Sequence, residues 1–374
     1  MIRAGAVGTP RILFLGLTYA GHETRFDNLE SVAGSDERIS PSFRRVSGWK
    51  SDGLFERLPL LPAGVRGRLR ATAEASAYAR LPRPDIVWSS VSEVLTPFLV
   101  ANVGPFRRPL VLDLDCTLAQ LEGMAPDYFG RPSRSGARIA FSYWNERRLW
   151  RHVTKFLPWS NWAAAGLTEA GISSDRIEVI PPGVDLHAWQ PTGKAPLANR
   201  PLRALFVGGD FLRKGGDLVL AAVTGPLKGR IEVDVVTRDA VATRPGVRVH
   251  RLEANTPALR ELYARADLFL LPTRADCFGI AAVEAMASGL PVIMGDVGAA
   301  REIVSPGDTG WVIPATQRAL DEALESAWSK SESLGAMGER ARMVAEKNFD
   351  LHKNNRRTID MLIGLSEGLS GVAP

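Results

Sequence analysis

The stretch that decides the fold is Leu268–Val304, LFLLPTRADCFGIAAVEAMASGLPVIMGDVGAAREIV. Leu268–Leu271 is an apolar run without polar alternation, the pattern of a parallel strand covered on both faces. A loop with one carboxylate, Asp276, follows. Gly279 then opens a helix that carries Glu284 and ends at Gly289, and Leu290-Pro291 lead into a second apolar run, Pro291–Met294. Strand, loop, helix and strand in this order make one βαβ unit of a doubly wound sheet. Gly279 lets backbone approach a ligand closely, and the unpaired amides of the first helical turn make an anion site. Asp276 and Glu284 stand eight positions apart, one on the loop and one along the helix. Two carboxylates can thus hold hydroxyl groups at different points of one ligand while the helix end holds its phosphates.

The same alternation extends along the 374 residues. Strands are expected at Arg11–Leu17, Asp85–Ser89, Leu110–Leu114, Lys155–Pro158 and Arg176–Ile180. In the second half they are expected at Arg203–Val207, Ile231–Val236, Val247–Leu252, Leu268–Leu271 and Pro291–Met294. A composition shift at Gln190–Pro201, rich in Pro and without a periodic apolar face, reads as an interdomain linker. This divides the chain into a domain of residues 1–190, a second of 200–350 and a C-terminal helix of 351–374, with Asp350 as its N-cap and Ile359, Met361, Leu362 and Leu365 as its apolar side. No internal repeat is visible. The fold class is α/β, two Rossmann-like doubly wound parallel-sheet domains facing across a cleft, with ligands at the C-terminal ends of the strands.

Composition narrows the function. Hydrophobic residues make up 45% and charged residues 23%, which excludes a largely disordered chain. The two cysteines, Cys116 and Cys277, exclude a disulfide framework and the multi-cysteine zinc patterns, and they fit a reducing, cytoplasmic compartment. Arg3 and Arg11 flank the short apolar run Ile12–Leu17, but no small-residue cleavage site follows, so this run reads as a buried first strand rather than a signal peptide. No apolar run reaches the ~18 residues of a membrane span. The net charge of +5 suits an anionic ligand or membrane surface.

The ordered residues Pro272, Phe278, Gly279, Glu284, Ala285, Ala287, Gly289, Pro291 and Val292 resemble the donor-site signature of family-4 GT-B glycosyltransferases, Glu-x7-Glu within P-x-x-E-x-F-G-x-x-x-x-E-A-x-A-x-G-x-P-V. The first Glu of that signature is Asp276 here, which keeps the charge on a side chain one methylene shorter. Phe206-Val207-Gly208-Gly209-Asp210-Phe211-Leu212-Arg213-Lys214-Gly215 is similar to the family's F-V-G-R-x-x-x-x-K-G loop, with Gly209 in place of the usual Arg and a cation at Arg213 beside Lys214. Ile180-Pro181-Pro182-Gly183-Val184-Asp185 is similar to a third element of the family, on the hinge side of the cleft.

The resemblance implies a retaining transfer of sugar from a nucleoside-diphosphate sugar to a hydroxyl acceptor, a saccharide or lipid-linked saccharide in polysaccharide or glycolipid assembly. It assigns Glu284 to the ribose, Gly208 and the Gly279 and Ile280 amides to the phosphates, Asp276 to the sugar, and Arg213 and Lys214 to the leaving diphosphate. It also implies that the last helix returns to the first domain, that acceptor recognition lies in that domain, and that neither a metal nor another cofactor is required. Two other readings share the architecture: a nucleotide-sugar epimerase, and a non-catalytic subunit that keeps only the nucleotide site.

In the first domain the residues after the first strand, Gly21-His22-Glu23-Thr24-Arg25, are placed on a cleft-facing loop, Gly21 toward the donor phosphates and His22 toward acceptor or sugar. Asp113-Leu114-Asp115 contains the D-x-D of the metal-dependent GT-A fold, a short signal. Asp115, with Cys116 and Thr117, reads instead as a cleft-facing loop and an acceptor-side candidate. Arg66, Arg68 and Arg70 form one basic stretch. Arg131, Arg134, Arg138, Arg147, Arg148, Arg151 and Lys155, interleaved with Tyr143, Trp144 and Trp150, form another. The plain reading is solvated faces over aromatic core contacts. The sharper one is peripheral contact with anionic lipid or a lipid-diphosphate acceptor at the inner face of the membrane. No nucleic-acid module is present, and no nucleic-acid partner is expected.

Overall fold

The computed structural model describes residues 9–18, 20–47, 50, 53–55, 57, 63–78, 84–90, 108–191 and 200–370. Its strands form two parallel sheets. The first contains β1 (Arg11–Leu17), β2 (Ser40–Val46), β3 (Ile86–Ser89), β4 (Leu110–Leu114) and β5 (Lys155–Pro158), in spatial order β2-β1-β3-β4-β5. The second contains β6 (Leu202–Val207), β7 (Ile231–Val236), β8 (Val247–His250), β9 (Leu268–Leu271), β10 (Val292–Gly295) and β11 (Gly310–Ile313), ordered β11-β10-β9-β6-β7-β8. The two doubly wound domains are those expected from the alternating pattern.

Central strands are buried on both sides because helices cover both faces. In the first sheet Leu13, Leu15, Val87 and Leu112 pack with Ala71, Trp150 and Leu167 on one face. Their pleat neighbours Ile12, Phe14, Trp88 and Val111 pack with Phe26, Leu29, Ile359 and Leu362 on the other. Ile359 and Leu362 belong to the C-terminal helix, Leu351–Ser370, which lies against the first domain. The Asp350 carboxylate accepts the Lys353 amide at 3.0 Å at the start of that helix.

Three local expectations need correction. Arg176–Ile180 is not a strand: Ser174–Arg176 is a 3-10 turn, and only Ile177 bridges to Phe156. The Glu178 and Ile180 amides still donate to the Phe156 and Pro158 carbonyls of β5 at 2.9 and 3.1 Å, but Pro181 and Pro182 follow and supply no amide, so no regular ladder forms. Gly21 and His22 are not on a loop but in the first turn of the helix Ala20–Ala33. Two edge strands, β2 and β11, were not anticipated. β2 carries Pro41, Arg44 and Arg45 and is half open to solvent, so it lacks a continuous apolar run.

The chain enters the second domain at Val184, before the Pro-rich stretch. The Val184 amide donates to the Phe349 carbonyl at 2.8 Å and the Leu351 amide donates back to Val184 at 3.1 Å, so the two crossings between domains pair with each other. Trp189 is already in the second core, edge-on to Tyr263 at 4.9 Å. Residues 1–8, 192–199 and 371–374, including Arg3 and most of the expected linker, lie outside the described residues, as does the Arg68 side chain. Across the first domain runs a buried polar chain. Arg25 donates to Asp113 Oδ2 at 3.1 Å and to Asn355 Oδ1 of the C-terminal helix at 2.9 Å, and the Trp159 indole donates to Asp113 Oδ1.

Candidate functional site

Both donor-side loops leave the second sheet where its strand order reverses. β6 and β9 are neighbours, but the chain winds away from them in opposite directions, so a crevice opens at their C-terminal ends. The loop after β6 brings Gly208, Arg213 and Lys214, and the loop after β9 brings Asp276, Gly279 and Ile280. Lys214 and Asp276 come one from each loop and meet as an ion pair, Nζ on Oδ2, with side chains only 16% and 13% exposed. The Arg213 guanidinium donates to the Ala275 carbonyl at 2.9 Å and to Asp210 at 3.1 Å. The Tyr128 ring of the first domain covers it, 4.5 Å from ring centre to guanidinium carbon.

Two glycines make this geometry. A Cβ on Gly208 would stand 2.9 Å from Lys214 Cβ, so only a bare backbone lets the loop fold over the lysine stem. Gly279 has φ +95°, and a Cβ there would meet Met294 Cε at 2.6 Å. Gly279 ends the loop and starts the helix Ile280–Ala287. The Ala282 amide donates to the Gly279 carbonyl at 2.9 Å, and the Ile280 and Ala281 amides, which have no carbonyl one turn back within the helix, present partial positive charge at the crevice.

Glu284 lies one turn further in and is 6% exposed. Burial pushes its carboxyl up to about 7, against the opposing effect of the Tyr263 hydroxyl, which donates to Oε2 at 3.0 Å. Tyr263 belongs to the helix Pro257–Arg265, which no motif singles out.

The facing wall comes from the C-terminal ends of the first sheet's strands. Gly21 lies against the Ile280 side chain. His22 Nε2 is 3.4 Å from Asp115 Oδ1, and its ring packs 4.8 Å from Trp159. Burial lowers the His22 pKa, but the Asp115 carboxylate more than offsets this and the net direction is upward. Trp159 meets Phe278 of the second domain edge-on at 5.9 Å. Arg213, Lys214, Asp276, Gly208, Gly279 and Ile280 therefore share one crevice, Glu284 stands behind it, and Gly21, His22 and Asp115 stand opposite.

The D-x-D pair is split by the end of β4, which holds Asp113 within the strand and leaves Asp115 on the loop after it. Asp113 is fully buried on Arg25 and Trp159, and Asp115 is at the domain junction, so the two carboxylates do not converge on one ion. The second basic region is also divided. Arg131 and Arg134 both bind Glu122, whose carboxyl is pulled down to about 2, chiefly by Arg131, and Trp150 is core. Arg70 pairs with Glu74. Phe141 and Trp144 remain outside, 64% and 51% exposed, stacked at 5.6 Å with Arg148 over the Trp144 ring. Tyr128, Tyr263 and Trp159 escape a reading by motif because each acts across elements far apart in sequence.

Residues 19–183 match the family described as glycosyl transferase 4-like domain, and residues 243–344 match glycosyl transferases group 1. Among curated relatives, the D-inositol 3-phosphate glycosyltransferase of Arthrobacter sp. (strain FB24) is 28% identical over 46% of this chain and 46% of its own length. The lipopolysaccharide glucosyltransferase WaaG of Escherichia coli (strain K12) is 34% identical over 53% of this chain and 58% of its own length. The chain thus spans about half the length of the curated relatives it matches. A crystal structure of WaaG superposes on 94% of this chain and 100% of its own, with TM-score 0.64 and 19% identity. The Anabaena HepE structure in complex with UDP and glucose superposes on 94% of this chain and 99% of its own, with TM-score 0.68 and 16% identity. With both halves matched to glycosyl transferase domains and the fold shared along nearly the whole chain, this protein belongs to the family-4 GT-B glycosyltransferases.

Proposed function

We propose that this chain is a retaining glycosyltransferase that moves a sugar from a nucleoside-diphosphate sugar to a hydroxyl acceptor, without a metal or other cofactor. The observation that carries the reading is the meeting of Lys214 and Asp276 at the strand-order reversal, beside Arg213 and an open helix N-terminus. Glu284 accepts ribose hydroxyls, the Gly279 and Ile280 amides bind the phosphates, and Asp276 orients the sugar. As the glycosidic bond breaks, negative charge grows on the diphosphate oxygen, where Arg213, Lys214 and the helix end are already fixed in place. The family resemblance implies attack from the same face, with the leaving phosphate assisting removal of the acceptor proton. His22 and Asp115 sit on the wall where the acceptor enters, and closure of the two domains excludes water from the reacting bond.

The donor reading is supported by the UDP in the HepE structure and the acceptor reading by the lipopolysaccharide named in WaaG. The acceptor is a saccharide or lipid-linked saccharide, reached by a cytoplasmic protein at the inner face of a membrane. Phe141, Trp144, Arg148 and Arg151 fall on one side of the helix that reaches Trp150, and they form the surface for that contact. No helix among the described residues is long and apolar enough to cross a membrane.

The decisive experiment is turnover of UDP- and GDP-sugars with saccharide acceptors, in the parent and in Lys214→Ala. The variant is expected to keep its melting temperature and lose about 10²–10³ in kcat. Equal turnover in the variant removes Lys214 from the mechanism. Donor conversion without an acceptor favours an epimerase, and binding without conversion favours a non-catalytic subunit. Transfer is expected to survive EDTA. Trp144→Ala is expected to weaken sedimentation with anionic vesicles; unchanged sedimentation moves the contact elsewhere.

A further inference from the structure

Beside the donor crevice, three ligand-type side chains from the two domains converge. Asp115 and Cys116 follow β4, and Cys277 lies on the loop before the donor-site helix. An Asp115 carboxylate oxygen and the two Sγ atoms lie within 4.8 Å of one another. Both thiols are free, Cys277 buried and Cys116 half-buried. His22 Nε2 contacts the same carboxylate at 3.4 Å from the far side, and His22 Nδ1 is buried with no hydrogen-bond partner among the described residues.

Around a tetrahedral zinc ion, with Zn–S about 2.3 Å and Zn–O about 2.0–2.2 Å, neighbouring ligand atoms stand roughly 3.5–3.8 Å apart. The cluster reaches that spacing by contraction of at most about 1.0–1.3 Å, within the range of side-chain rotation. Two thiolates and a carboxylate favour a borderline-soft cation over magnesium or calcium. A histidine hydrogen-bonded to a ligating carboxylate is the kind of outer partner that orients such a ligand.

We propose that Asp115, Cys116 and Cys277 bind a divalent cation of the zinc class, with a fourth position left to water, and that this ion fastens the two domains together. On binding, the two thiols release their protons to solvent and two sulfur–metal bonds form beside the carboxylate bond. The ion takes no part in sugar transfer. It bridges the cleft that must open for nucleotide exchange, so its effect is inhibitory.

The test uses the full chain, reduced, stripped with a chelator and titrated with Co²⁺ and then Zn²⁺. Expected are thiolate-to-cobalt charge-transfer bands with tetrahedral visible bands, bleached by about one equivalent of Zn²⁺. Cys116→Ser and Cys277→Ser abolish the bands while the metal-free variants melt with the parent. His22→Gln retains the bands and weakens Zn²⁺ by about 10–100-fold. Zn²⁺ slows turnover of the parent and not of Cys116→Ser. Absence of the bands in the parent, or their persistence in Cys116→Ser, overturns the site. So does a thiol count of zero in unreduced protein that dithiothreitol restores, which would make the bridge a disulfide. The cobalt spectrum reads the site whether or not the chain transfers sugar, so failure here is distinct from failure of the proposed function.

Discussion

At the scale of single residues, Glu284 is where sequence and structure add most to each other. The spacing from Asp276 and the surrounding Glu-Ala-x-Ala-x-Gly pattern marked it as a ligand-binding carboxylate. The sequence held no sign of Tyr263, whose hydroxyl reaches it from a helix some twenty positions earlier. A folded-state pKa of about 7 against 4.5 means that the native state holds the Glu284 proton more tightly than the unfolded state. Stability from this group is therefore full below about pH 4.5 and is lost as pH rises to about 7, a loss on the order of 3 kcal/mol. Urea unfolding of the parent and Glu284→Gln should diverge across that window, the parent weakening more, and parallel curves would show that the carboxyl does not titrate there. Ribose hydroxyls donate best to the ionised form, so UDP affinity of the parent relative to Glu284→Gln should rise through the same window. The Arg213–Tyr128 contact and the Cys116–Cys277 contact had no local signal either. They exist only because distant loops end at the same cleft, and no pattern of neighbouring residues encodes that.

At the scale of elements, the internal strands were legible because burial on both faces leaves an unbroken apolar run, as in Leu268–Leu271 and Ile12–Leu15. Edge strands such as β2 spend half their positions on solvent and lose that mark. Arg176–Ile180 has the composition of a strand and its Glu178 and Ile180 amides donate to β5, but the prolines after it end the pairing before a ladder is built. Position after a strand was enough to bring Gly21 and His22 to the cleft, although the whole stretch Gly21–Arg25 is helical rather than loop. Invisible to sequence was the capping of one domain's helix by the other domain. The helix Asn161–Glu169 has its own N-cap in Ser160, yet Glu302 of the second domain also accepts the Asn161 and Trp162 amides, each at 2.7 Å, and the Asn161 side chain at 2.8 Å. A carboxylate on exposed first-turn amides contributes about 1 kcal/mol, and here that energy belongs to the closed arrangement. Glu302→Ala should therefore shift the molecule toward an open cleft by about fivefold in population. Small-angle scattering should show a larger radius of gyration than the parent, and UDP should narrow the difference. Identical scattering curves would mean that the contact does not hold the domains.

At the scale of the whole molecule, the two domains are joined by more than a hinge. The C-terminal helix leaves the second domain beside Val184 and docks on the first, where its Asn355 accepts from Arg25 and donates to the Asn28 carbonyl at 2.8 Å. Arg25 and Asp113 are both fully buried, and among the described residues their hydrogen-bond partners are each other, Asn355 and Trp159. Removing one partner leaves the other charge in an apolar interior, which costs roughly 3–5 kcal/mol, whereas replacing both with apolar groups of similar volume is often close to neutral. Arg25→Met should then destabilise strongly, and Arg25→Met combined with Asp113→Leu should recover most of the loss. Urea unfolding of the two single variants and the double variant closes the thermodynamic cycle, and additive losses would show that the pair is not coupled. Because Arg25 also grips Asn355, Arg25→Met should raise amide hydrogen exchange along Leu351–Ser370 before the first sheet opens. Faster exchange confined to the helix Ala20–Ala33 would instead place the energy of the pair within the first domain and leave the returning helix held by Ile359 and Leu362 alone.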